Sequence, residues 1–226
     1  MGYKLIALDI DGTIRDIDHP ISARTRSAVE RVAQEGAAVT LATGRMFQSA
    51  LASAAELNIT SPIVSDQGAQ IVHPATGEVL WHRPLTPVMA SAALDVLSAW
   101  QGEVLACQGT QVYVDELTPW LEGYSQRNRG TVNVVSDIRE LAKNGLTRVV
   151  AVGDEDDIHR LDGRLNESLG SQLHITRSLP HFCEILHPQG GKHNALAWLG
   201  RHLGISRDQV AAFGNGYNDV HMLKWV

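Results

Sequence analysis

Alternation of short apolar runs with helical patterns opens the chain. Leu5-Ile6-Ala7-Leu8 is a continuous apolar run, which suits a strand buried on both faces of a parallel sheet. Ser22 is an N-cap candidate for a helix running to about Glu35, with Val29, Val32 and Ala33 on its apolar stripe and Gly36 as its stop. A second strand is predicted over 37–42, a second helix over 46–57 and a third strand over 62–65. This β-α-β-α-β order predicts parallel strands joined by right-handed crossovers.

The pattern then changes. Gln70–His73 and Glu78–Trp81 read as two strands around the turn-rich Pro74-Ala75-Thr76-Gly77. After Pro84 come a helix over 86–100, strands over 103–107 and 111–114, a helix over 119–128 and a strand over 131–135. Asp137 is a cap candidate for a short helix to Lys143; a strand over 146–152, a helix over 156–169 and strands over 173–176 and 182–186 follow. Many short strands with two longer helices describe an α+β unit separate from the first. The parallel pattern returns with a helix from Gly190-Gly191-Lys192 to about Leu203. Asp208 is a cap candidate before the strand 210–213, and a last helix starts at Val220. The expected fold is α/β: a Rossmann-like parallel sheet core formed by residues 1–83 and 188–226, with an inserted α+β domain over 84–187.

Composition narrows the function classes. A net charge of −6 over 226 residues gives no electrostatic footprint for nucleic acid. No apolar run is long enough to span a membrane, and Met1-Gly2-Tyr3-Lys4 leads into the first strand without a signal-peptide pattern. Cys107 and Cys183 are isolated, so free thiols in a reducing, cytoplasmic setting are expected, with a disulfide the lesser option. The ten His residues show no H-E-x-x-H spacing.

Candidate chemistry gathers at strand ends. Asp9 and Asp11 follow the first strand; on an extended segment, residues i and i+2 point to one side. Ligands of open α/β sheets bind at the carboxyl ends of strands, and paired carboxylates there suit Mg²⁺. The bland reading of Asp-x-Asp-Gly is a solvated turn, with even weight on those residues alone. Thr43-Gly44 follows the second strand and Asn215 and Asp219 the last, while Lys192 opens a helix. Separately these read as a helix start, turn formers and a solvated first-turn lysine. Together they supply an acidic metal site, a hydroxyl and a cation, the parts that phosphoryl transfer needs.

With those motifs in order, Asp9-Ile10-Asp11-Gly12-Thr13, Thr43-Gly44-Arg45, Lys192 and Gly214-Asn215-Gly216-Tyr217-Asn218-Asp219, the chain resembles the haloacid-dehalogenase (HAD) superfamily of phosphatases, in its Cof-like branch. Gln67-Gly68-Ala69 and the hairpin after it are also like that branch, and the inserted block lies where the branch carries its cap domain. The resemblance implies that Asp9 attacks phosphorus and that Asp11 serves as general acid and base. It implies that Thr43, Gly44 and Lys192 bind the phosphoryl group, and that Asp9, Asp11 through its carbonyl oxygen, Asn215 and Asp219 form an Mg²⁺ site. Arg45 receives no role.

Two departures from the family pattern stand out. Asn215 replaces a usual Asp, and the sequence stops at Val226, where the family usually continues. The expected activity is Mg²⁺-dependent hydrolysis of a small phosphorylated metabolite, of phosphoglycolate or sugar phosphate type, through an aspartyl-phosphate. A phosphotransferase or mutase of the same fold is one alternative. A catalytically weak phosphate-ligand-binding or regulatory domain is another. Arg83-Pro84 and His187-Pro188 are the expected hinges of the inserted domain.

Overall fold

A computed structural model describes residues 2–16, 19–128 and 131–226, excluding the side chains of 126–128. Residues 17 and 18 of the expected polar loop 15–20 lie outside the described residues. The chain divides into two compact units, Met1–His82 with Gly191–Val226, and Arg83–Gly190.

The first unit opens with β1 (Leu5–Leu8), α1 (Ala23–Gln34), β2 (Ala38–Leu41), α2 (Phe47–Glu56) and β3 (Ile63–Ser65). The Ser22 hydroxyl caps α1 by accepting from the Thr25 N–H at 3.0 Å. Gly36 takes the left-handed backbone expected of a helix stop (φ 90°). Strands β1 and β2 are parallel, with Leu5 opposite Ala38 and Leu8 opposite Leu41. The parallel order extends past β2 as a single bridge between Ala42 and Val64. Strands β4 (Gln70–Val72) and β5 (Val79–His82) form the expected hairpin, and β3 joins it as an antiparallel third strand.

The second unit runs α3 (Pro87–Leu97), β6 (Glu103–Gln108), β7 (Gln111–Val114), α4 (Pro119–Asn128), β8 (Val132–Val134), α5 (Ile138–Ala142), β9 (Arg148–Val152), α6 (Glu155–Leu169), β10 (His174–Thr176) and β11 (Phe182–Leu186). Its six strands lie in the order β10-β11-β9-β6-β7-β8. All neighbours are antiparallel except β7 and β8, which the α4 crossover joins in parallel. One face of this sheet, with Ala106, Val149, Ala151, Cys183 and Ile185, packs against Leu94 and Leu97 of α3 and Ile158, Leu161 and Leu165 of α6.

The chain then completes the first unit with α7 (Lys192–His202), β12 (Val210–Phe213) and α8 (Val220–Trp225). Strand β12 pairs in parallel with β1 on the side opposite β2, so β1 is central in the order β12-β1-β2. The turn before β12 is capped by Ser206 with Gln209, not by Asp208. A Ser followed three residues later by Gln makes the reciprocal capping box, which a lone Asp inside the turn cannot.

No helix among the described residues is long and apolar enough to cross a membrane. Cys107 and Cys183 are both buried, and neither is in a disulfide. Burial, with the nearby Asp162 and Glu184 carboxylates adding to it, pushes the Cys183 thiol well above its ordinary range. Native protein should therefore leave Cys183 unmodified by iodoacetamide at neutral pH, while denatured protein should be alkylated there. Mass spectrometry of the Cys183 peptide reads both, and rapid native labelling would contradict the packed sheet.

Candidate active site

Strand β1 delivers Asp9 to the sheet rim. The Asp9 N–H continues the ladder by donating to the Phe213 carbonyl at 3.0 Å, and the Ala42 N–H donates to Leu8 O at 2.8 Å. Asp9 therefore stands between the ends of β12 and β2, only 5 % exposed. The strand geometry expected for the pair reaches Asp9 only. From Ile10 the chain turns, its carbonyl accepting from the N–H groups of Thr13, Ile14 and Arg15. Asp11 consequently meets a different cation from Asp9.

Lys192 is the cation beside Asp9. Its Nζ donates to Asp9 Oδ1 at 2.6 Å and to Asp219 Oδ1 at 2.6 Å. It is not a solvated first-turn lysine: it is 2 % exposed, among the largest fully enclosed side chains of the protein. Gly191 precedes it as N-cap with φ 96°, a backbone that glycine adopts without strain. Burial raises the Asp9 pKa above its ordinary value, and Asp219 adds to the rise, while Lys192 opposes it.

Asp219 is fully buried. Its second oxygen accepts from the backbone N–H groups of Asn215 and Gly216, each at 3.0 Å, so one carboxylate both fixes the last loop and holds Lys192. The approach is close enough that a Cβ at Gly214 would lie 2.4 Å from Asp219 Cγ. Asn215 is exposed, and its Oδ1 accepts from the Thr13 hydroxyl at 3.0 Å. The same hydroxyl lies 3.3 Å from Asp9 Oδ2. Asp9 and Asn215 thus present oxygen atoms on either side of Thr13.

The Thr43–Arg45 loop contributes next. Thr43 is 1 % exposed, and its Oγ1 accepts from the Arg45 N–H at 3.1 Å. Arg45, to which sequence reasoning assigned nothing, grips Asp11 in a two-pronged ion pair, with Nε and Nη2 each 2.7 Å from a carboxylate oxygen. Its Nη1 donates to the Ser49 hydroxyl at 3.0 Å, which fixes the guanidinium against α2.

Gly44 faces an unforeseen neighbour, the side chain of Gln67. Asp66, Gln67 and Gly68 all adopt left-handed backbone, with φ of 51°, 56° and 83°. Such a conformation costs on the order of 1–3 kcal/mol at a non-glycine residue and persists where the surroundings fix it. In the sequence the segment shows as the turn-forming Asp-x-Gly and as the branch-like Gln67-Gly68-Ala69, neither of which reveals its neighbours.

Comparison with known proteins agrees with this architecture. A sequence model of the haloacid dehalogenase-like hydrolases matches residues 6–226. An HMP-PP phosphatase of Enterobacter sp. (strain 638) is 31 % identical over 97 % of this chain and 80 % of its own length. A haloacid dehalogenase-like hydrolase from Bacteroides thetaiotaomicron superposes with a TM-score of 0.81 at 25 % identity, covering 99 % of this chain and 86 % of the other. Another such hydrolase, from B. subtilis, gives 0.85 at 21 % identity over 99 % of this chain and 87 % of its own, which bears on the fold alone. The chain belongs to the haloacid dehalogenase-like hydrolase family. The expected enzyme class, a hydrolase of the phosphatase type, is the one its curated relatives carry.

Proposed function

We propose that the first unit is the catalytic core of a phosphomonoester hydrolase acting on a small cytoplasmic phosphorylated metabolite, with the inserted unit as its cap. The observation that carries this reading is the buried Asp9–Lys192–Asp219 triad at the end of the central strand, beside the Thr43 loop. A carboxylate held against an ammonium group in a dry site is a nucleophile with a counter-charge for an incoming anion. Asp9 would attack phosphorus, the leaving oxygen departing with a proton from Asp11. Asp11, as carboxylate, would then take a proton from the water that hydrolyses the aspartyl-phosphate. Thr43, Gly44 and Lys192 would hold the phosphoryl oxygens. Arg45 would hold Asp11 as carboxylate between these two steps, its two-pronged grip loosening when Asp11 carries the proton for the leaving oxygen.

The donor set fits a hard divalent cation. Asp9 and Asn215 offer oxygens around Thr13; among the described residues no group of three or more His, Cys, Asp or Glu could hold a metal ion, so an ion here would depend on amide, carbonyl, water and phosphate oxygens beside Asp9. Mg²⁺ is suited by one or two carboxylates with waters and substrate phosphate completing its shell. Asp9, the Asp11 carbonyl oxygen and Asn215 would hold it; Asp219, also expected as a ligand, has its oxygens engaged by Lys192 and by the Asn215 and Gly216 N–H groups and would instead orient that loop. Such an ion neutralises charge on the phosphoryl group. Asn215 leaves the set one negative charge short of an Asp there, so Asn215→Asp should lower the Mg²⁺ concentration at half-maximal activity and tighten Mg²⁺ in calorimetry. Substrate KM should change far less. Unchanged Mg²⁺ midpoints would remove Asn215 from the metal site.

The test of the reading is inorganic phosphate release from p-nitrophenyl phosphate, phosphoglycolate, sugar phosphates and HMP-PP, the last because relatives are named for it. Turnover with Mg²⁺ that EDTA abolishes is expected. Transfer to an added alcohol in place of water would favour the phosphotransferase reading. Phosphate binding without turnover would favour the regulatory one.

A further inference from the structure

The Asp66-Gln67-Gly68 turn touches the Thr43–Arg45 loop, the start of α7 and the Asn215–Asp219 loop, and the proposed chemistry leaves it without a task. The Gln67 N–H donates to Thr43 O at 3.0 Å, and the Asp66 N–H donates to Arg45 O at 2.9 Å. Gly68 packs so close to the start of α7 that a Cβ there would lie 2.4 Å from the Gly191 carbonyl and 2.7 Å from the Lys192 nitrogen. The Gln67 Oε1 accepts from Asn218 Nδ2 at 3.0 Å, a link across 151 residues to the loop that carries Asn215 and Asp219. The Gln67 Nε2 lies where a Cβ on Gly44 would be, 2.3 Å from it.

We propose that Gln67 is a positioning residue that sets the phosphate-binding loop Thr43–Arg45 against the Asn215–Asp219 loop. Three features separate this from ordinary packing. Gln67 is 1 % exposed, and its Nε2 has no hydrogen-bond partner among the described residues. A buried amide with one unsatisfied end is a poor choice for stability alone, where an apolar side chain would do better. Its backbone is left-handed without being glycine, so the side chain is retained at a position that favours having none. The one side-chain hydrogen bond it makes among the described residues reaches the loop opposite rather than a neighbour in sequence. The amide therefore acts as a strut: it rests on Gly44, bonds to Asn218, and fixes the spacing that a phosphate and its counter-ion must share. Misplacement of such groups by a fraction of an ångström weakens binding more than it weakens the fold.

This inference rests on the phosphatase reading, and its test separates the two. Inorganic phosphate binding is measured calorimetrically with Mg²⁺, well below the melting temperature, for wild type, Gln67→Met, Asn218→Ala and the double variant. Each single change should weaken phosphate roughly tenfold and raise KM in parallel. The double variant should be no weaker than the worse single one, as for two ends of one strut. Asn218→Ala cuts the same bond from the half-exposed end, so it reports even if Gln67→Met fails to fold. A lower melting temperature with unchanged phosphate affinity in both single variants would overturn the proposal, as would fully additive losses. Wild-type protein that neither binds nor releases phosphate would overturn this proposal and the phosphatase reading together. Wild-type binding with unaffected variants would overturn only the strut.

Discussion

Asp9→Asn is expected to lower turnover by roughly three orders of magnitude or more, the scale seen when a covalent nucleophile is removed. The amide has nearly the carboxylate's shape but neither its charge nor its nucleophilicity. The fold should survive. Lys192 keeps Asp219 as a partner at 2.6 Å, and the change removes a carboxylate whose charged form burial already disfavours. Circular dichroism and the melting temperature should stay close to wild type while phosphate release collapses. Near wild-type turnover in the purified variant would exclude Asp9 as the attacking group.

Lys192→Met is expected to be the most destabilising single change in the first unit. The side chain is 2 % exposed and bridges two carboxylates that are themselves 5 % and 0 % exposed. Removing one partner of a buried ionic group leaves the others unpaired and costs about 3–5 kcal/mol. The loss should depend on pH, with a definite sign. Burial holds the Asp9 pKa above its unfolded value, and Lys192 is what opposes that rise. Without Lys192 the Asp9 pKa climbs further. A raised carboxylate pKa favours the folded state at low pH, and that advantage is lost as pH rises from the unfolded value through the folded one. The stability gap between Lys192→Met and wild type should therefore be widest at neutral pH and narrow as acid protonates Asp9. Urea midpoints at neutral and mildly acidic pH read the effect. A gap that is constant with pH, or largest in acid, would contradict the electrostatic account of the triad.

How much of this was legible in the sequence depends on where each contact is made. Strand β1 and the helix with its Ser22 cap were plain from pattern, since both depend on neighbours a few residues apart. The change of rhythm after Ser65 marks the β4–β5 hairpin, and the run of short strands and helices beyond Pro84 is what leads to the expectation of an α+β unit over 84–187. Contacts between loops were not legible. Arg45 and Asp11 are 34 residues apart and meet only because adjacent strand ends share a rim. Lys192 looks like any helix-opening lysine until the turn at Gly68 closes over its backbone. The side-by-side placement of Asp9 and Asp11 was inferred from strand geometry, which ends before Asp11 because Ile10 begins a turn. Gln67-Gly68-Ala69 resembles a segment of the Cof-like branch, but nothing local in the sequence gives Gln67 its contacts, for its partners Thr43, Gly44 and Asn218 are distant in sequence. Local physics determines the elements, and long-range packing determines which polar groups meet.

The central claim is covalent: a phosphoryl group resides on Asp9 during turnover. Rapid quenching of the enzyme with a turned-over substrate, followed by borohydride reduction, converts an aspartyl-phosphate to homoserine, and peptide mass spectrometry locates it. The account predicts homoserine at position 9, dependent on substrate and absent from Asp9→Asn. Homoserine at another aspartate, or sustained turnover with a phosphoryl group trapped on a different side chain, would contradict it.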